Sequence, residues 1–150
     1  MKPRDLAEWL QDERKKVDEL IYLVRKHLAV PPPGSREAWL PEARECFRRL
    51  VEHLTKHRAL EEADGYLRAV RAQRPALAPE IDRLQHEHDE LGRLMDQVQR
   101  ALDELRPEDN LLIRSTCVRL ATLLSYVEQH EEEEQRLVLH VFSADMRPAG

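Results

Sequence analysis

Apolar residues recur at steps of three and four in four blocks of this 150-residue chain, the spacing by which a helix buries one stripe. The first block runs through Leu6, Leu10, Val17, Leu20, Ile21, Val24 and Leu28. The segment AVPPPGS ends it, because prolines cannot continue a helix. The second starts between Ser35, suited to cap a helix, and Pro41, suited to a first turn. It carries Phe47, Leu50, Leu54, His57 and Glu61 on one stripe, ends or bends at Gly65, and is over by Arg74 and Pro75. The third opens at Pro79 and follows Ile81, Leu84, His88, Leu91, Met95, Val98, Leu102 and Leu105 as far as the break RPEDN. The fourth starts near Asn110 and follows Ile113, Thr116, Leu120, Leu123, Val127, His130, Glu134, Leu137 and Val141. Short connections between four amphipathic helices predict an all-α, up-down-up-down antiparallel four-helix bundle forming one domain over residues 1–150.

Composition narrows the picture. A chain of 150 residues with 41% hydrophobic content can bury a core without disulfides. Glycine is scarce at 4, and the β-branched and aromatic residues that favour strands are few. The net charge of -5 gives no electrostatic reason to expect nucleic acid or an anionic membrane as partner. Cys46 and Cys117 lie within helical patterns, where each reads as a small buried apolar side chain. With no secretory signal and no run of 18 apolar residues, a cytoplasmic setting is expected.

The chemistry lies where the stripes turn polar. His57 and Glu61 continue the stripe beyond Leu50 and Leu54, His88 falls between Leu84 and Leu91, and His130 and Glu134 fall between Val127 and Leu137. Glu131, Glu132 and Glu133 are placed off the stripe. Residues at i and i+4 share a helix face about 6 Å apart along the axis, so each His/Glu pair can reach one metal or a close metal pair. In an alternating bundle all three histidines lie about 14 to 20 Å from the same end, at about 1.5 Å per residue. Three imidazoles and two carboxylates buried at one level need a cation, mutual hydrogen bonds or water. Imidazole with carboxylate suits iron, manganese or zinc. His53 reads as a partly exposed residue or an outer neighbour of the site, and Tyr126 as core filling or a nearby hydrogen-bond donor. His86 points elsewhere, and His27 and His140 read as surface.

The segments HRALEEADGYL, RLQHEHDEL and YVEQHEEEEQRL, in this order and spacing, resemble the hemerythrin and HHE cation-binding family over nearly the whole chain. The resemblance implies an up-down four-helix bundle with a non-haem di-iron centre. In it His57, His88 and His130 would be terminal ligands, while Glu61 and Glu134 would bridge the metals. One position departs: family members usually carry a histidine in helix 1, where WLQDERKKVDEL has Arg14. The family's helix 1 and helix 2 histidines serve the same iron, so that metal would keep His57 and the two bridging carboxylates. Arg14 cannot ligate a metal. Three arrangements follow: Glu13 substitutes through an oxygen, Arg14 pairs with Glu61 or Glu134 in place of a metal charge, or Arg14 turns to solvent. Two metals, one metal and none all stay open.

The expected function is binding or sensing of oxygen, nitric oxide or a peroxide at non-haem iron, which needs no residue beyond this set. An oxidase or peroxidase and a metal-free interaction module are the rivals, and no motif identifies a protein partner. The segment SADMRPAG reads as a polar, loosely ordered tail without a role.

Overall fold

Each apolar stripe folds as a helix. A computed structural model describes residues 3–28, 36–64 and 66–145, which form α1 (Pro3–Leu28), α2 (Arg36–Asp64), the short α3 (Tyr66–Gln73), a single 3-10 turn (Pro75–Leu77), α4 (Ala78–Glu104) and α5 (Asn110–Asp145). Among the described residues there is no strand. The break at AVPPPGS, the Ser35 cap and the bend at Gly65 lie outside the described residues. Pro41 lies inside α2, one turn deeper than expected. The polar tail is partly helical, since α5 continues to Asp145.

The ends of α4 show how backbone polarity is satisfied. Pro79 sits in its first turn, where a missing N–H costs nothing. At the other end the last carbonyls of a helix lack intrahelical donors. Arg44 of α2 supplies them, its guanidinium donating to Leu102 O at 2.9 Å and Leu105 O at 2.7 Å. Asp109 then accepts from Arg106 N at 2.8 Å and shapes the turn into α5.

The helix α1 packs on α2 and α5, and α4 packs on α5 and α2, while α3 fits against α5, α2 and α4. Two apolar cores result. The larger joins Val17, Ile21 and Val24 to Phe47 and Leu50, Val98 and Leu102, and Leu120 and Leu124. The smaller joins Leu10, Val70, Ile81, Val138, Val141 and Phe142. Cys46 and Cys117 are free and only partly buried against the larger core. Along all four long helices the residues between the two cores are polar and buried: Glu13 on α1, His57 and Glu61 on α2, His88 on α4, and His130, Glu131 and Glu134 on α5.

Candidate metal centre

The helical wheel brings the five expected residues together. Glu134, at 0% exposure, lies between two groups. On one side His88 Nε2 and His130 Nε2 lie 3.0 and 3.1 Å from Glu134 Oε2. On the other, His57 Nε2 lies 3.6 Å from Glu134 Oε1. Glu61 spans the same gap, with Oε2 3.1 Å from His88 Nε2 and Oε1 3.8 Å from His57 Nε2. The ligand atoms of His88, His130 and Glu134 fall within 4.8 Å of one another, as do those of His57, Glu61 and Glu134.

This layer is not satisfied by its own hydrogen bonds. His88 directs its bond to Glu134, so its closeness to Glu61 supplies no donor. His57 Nε2 and both oxygens of Glu61 are buried without a hydrogen-bond partner. Such atoms are rare in folded proteins, and leaving one costs about 1 to 3 kcal/mol. A cation resolves the problem for all three at once, so the residues present fit a metal.

Outer carboxylates orient the imidazoles. His57 Nδ1 lies 3.3 Å from Glu13 Oε2, and Lys16 approaches the other Glu13 oxygen at 3.6 Å. The Trp9 ring lies parallel to that of His57, planes 1° apart and centroids 5.4 Å apart. The Glu13 contact directs Nε2 toward Glu61 and Glu134, the relation by which a carboxylate fixes the tautomer of a ligating histidine. Glu87 stands in the same relation to His130 Nδ1, at 3.3 Å. The face of α1 therefore reaches His57 from behind, and Arg14 pairs through Nε with Asp18, 3.1 Å distant, while its Nη1 is buried without a hydrogen-bond partner.

Several sequence expectations need correction. Glu131, assigned to the solvated face, is buried at 5% exposure, with Oε2 3.8 Å from His57 Nε2. Tyr126 is exposed and fills no core, lining an outer groove with Glu87, His130 and Glu133. His27 is half-buried, with Nδ1 3.0 Å from Leu23 O and 3.6 Å from Cys46 Sγ. His53 is partly exposed and lies 3.1 Å from Glu13 Oε2, beside the layer. His86 and His140 face solvent.

The electrostatics describe a centre that holds protons when it holds no metal. Burial disfavours a charged His57, but Glu134, Glu131 and Glu61 outweigh it and raise its pKa to about 10. Burial raises the Glu61 carboxyl to about 9 against the opposing charge of His57. Glu134 is raised by burial too. Burial, with His130, Arg58 and His57 nearby, lowers His88 to about 3. Next to the layer, Leu54, Leu91, Met95 and Val127, with His57, His88 and His130, line a cavity of about 100 Å³.

Among the described residues no helix is long and apolar enough to cross a membrane. Comparison with curated proteins and with solved structures yields no match to this chain. The family model of the Hemerythrin HHE cation binding domain matches residues 5–142. Nearly the full span of the bundle, from Asp5 on α1 to Phe142 on α5, is thus accounted for, and the chain belongs to the hemerythrin HHE cation-binding domain family.

Proposed function

We propose that the protein binds two iron ions in the layer between its cores and uses them to bind or sense a small ligand, namely oxygen, nitric oxide or a peroxide. In this reading His88 and His130 hold one ion, His57 holds the other, and Glu61 and Glu134 bridge them. The carrying observation is the set of orphaned atoms, His57 Nε2 and Glu61 Oε1 and Oε2, buried between two ligand groups that share Glu134. Imidazole nitrogen mixed with carboxylate oxygen suits iron, and bundle cores hold metal pairs in this way.

An up-down-up-down arrangement of α1, α2, α4 and α5 belongs to the proposal. Its support is the reversed order of paired positions: Glu13 with His57 and His27 with Cys46, Arg44 with Leu102 and Arg58 with His88, and Arg83 with Glu133 and Glu87 with His130. That order levels the three histidines.

When bound, iron would supply redox-active chemistry toward a small ligand. The chain's own residues do the rest. Glu13 and Glu87 keep Nε2 of His57 and His130 pointed inward. Leu54, Leu91, Met95 and Val127 give the cavity beside the layer an apolar wall, and Thr55, Arg58 and Glu131 also line it. Binding needs no residue beyond this set, which favours it over turnover, and a cytoplasmic protein is the setting in which iron(II) and free thiols at Cys46 and Cys117 coexist most readily.

The test is metal analysis and optical spectroscopy of protein loaded with iron(II) under anaerobic conditions, then exposed to oxygen or nitric oxide. Two ions per chain and a single stoichiometric spectral change on ligand addition are expected. A chain that retains no metal refutes the reading, and continuous substrate-dependent turnover replaces binding with catalysis.

A further inference from the structure

We propose that Glu131 is a ligand of the ion on the His57 side, making the two halves of the centre chemically unequal: two imidazoles at one ion, one imidazole and an additional carboxylate at the other. This deepens the reading above and rests on it. The argument starts from His57 Nε2, which is buried, lacks a hydrogen-bond partner and faces three carboxylates, Glu134 at 3.6 Å and Glu61 and Glu131 at 3.8 Å. These separations are too long for hydrogen bonds. They match atoms that share an ion, because ligands about 2.1 Å from one metal lie about 3 to 4 Å from each other at neighbouring coordination positions.

The other elements around His57 are already committed. Toward this ring α1 offers Trp9, stacked on its face, and Glu13, at its far nitrogen. Arg14 pairs with Asp18 through Nε. The nitrogen that faces the centre therefore looks toward α2 and α5, and Glu131 is the carboxylate of α5 next to Glu134 on that side. Glu131 is 5% exposed, lines the cavity beside the layer and brings Oε2 to 3.8 Å from the orphaned nitrogen of His57, so a carboxylate of α5 reaches the open side of that ring. Glu131 lies outside the 4.8 Å set of His57, Glu61 and Glu134, so ligation takes an inward swing of its carboxylate.

Wild-type protein, E131Q and the exposed-site control E132Q would be loaded with iron(II) anaerobically, and bound iron per chain and the dissociation constant of each ion measured by chelator competition. The expected result is two ions in wild type and E132Q, and in E131Q one ion, or a second ion weakened at least tenfold. H57A should lose the same ion, so H57A/E131Q should lose no more than H57A. Two ions in E131Q with unchanged affinity would overturn the role of Glu131 and leave the centre standing. A single ion in wild type would overturn the two-ion reading and with it the unequal halves proposed here, and no ion in wild type would end both. Far-UV circular dichroism checks folding, and E131L covers the case in which a buried amide disturbs the bundle.

Discussion

Phe47 in the larger core and Glu134 in the polar layer are both at 0% exposure and opposite in chemistry. Phe47 belongs to a cluster of buried apolar side chains, where burial alone stabilises the packing at about 25 cal/mol per Å² removed from water. Around Glu134 burial works against the fold unless something else binds there, as the orphaned nitrogen of His57 and oxygens of Glu61 show. The apolar region is complete as folded, and the polar layer is built for an addition. Stability and metal uptake should therefore separate between the two regions.

The largest separation is expected from Phe47→Ala. A cavity in the core should cost about 3 to 5 kcal/mol in denaturant unfolding, with or without iron, while the iron count per folded chain stays the same. Glu134→Ala should do the converse. With free metal about 1,000-fold above the dissociation constant, iron should add about 4 kcal/mol to wild-type stability, and calorimetry should find that increment absent in the variant. Glu13→Gln, which weakens the orientation of His57 without touching Nε2, should lower metal affinity about 10- to 100-fold in chelator competition and leave the helical content unchanged.

A smaller effect distinguishes the regions through protons. In the metal-free protein His57 and Glu61 have pKa values raised to about 10 and about 9 from ordinary values of 6.5 and 4.5. The folded state then binds more protons than the unfolded state, so both contributions are present below the unfolded pKa and fade as pH rises through the folded one. His88, lowered to about 3, acts oppositely between pH 3 and 6.5 and is silent above that. Metal-free protein should thus lose stability steadily from pH 6.5 to 9. Iron affinity should rise over the same range, because ligands must shed protons to bind. A metal-free melting temperature that is flat or rising across that range would contradict the proton-holding layer.

The sequence made the helices readable because period-3.6 stripes, prolines and RPEDN act locally. His57, Glu61, His88, His130 and Glu134 could be singled out because each interrupts an apolar stripe at an inward position. A stripe one residue wide on α5 leaves Glu131 on the solvated face. The buried face is wider, taking adjacent pairs at Leu123 and Leu124, His130 and Glu131, and Val141 and Phe142. That doubling is visible in the sequence once the apolar pairs are used to set the width. The turning of Arg14 toward Asp18, the stacking of Trp9 and the capping of α4 by Arg44 depend on side-chain direction and on contacts between distant segments, which no local pattern encodes.

The central claim is tested most directly by crystals of the protein grown with iron(II) and measured at the iron absorption edge. Two anomalous peaks are expected inside the bundle, one among His88, His130 and Glu134 and the other among His57, Glu61 and Glu134. A map with no peak at that level, or with peaks only at the surface, would contradict it.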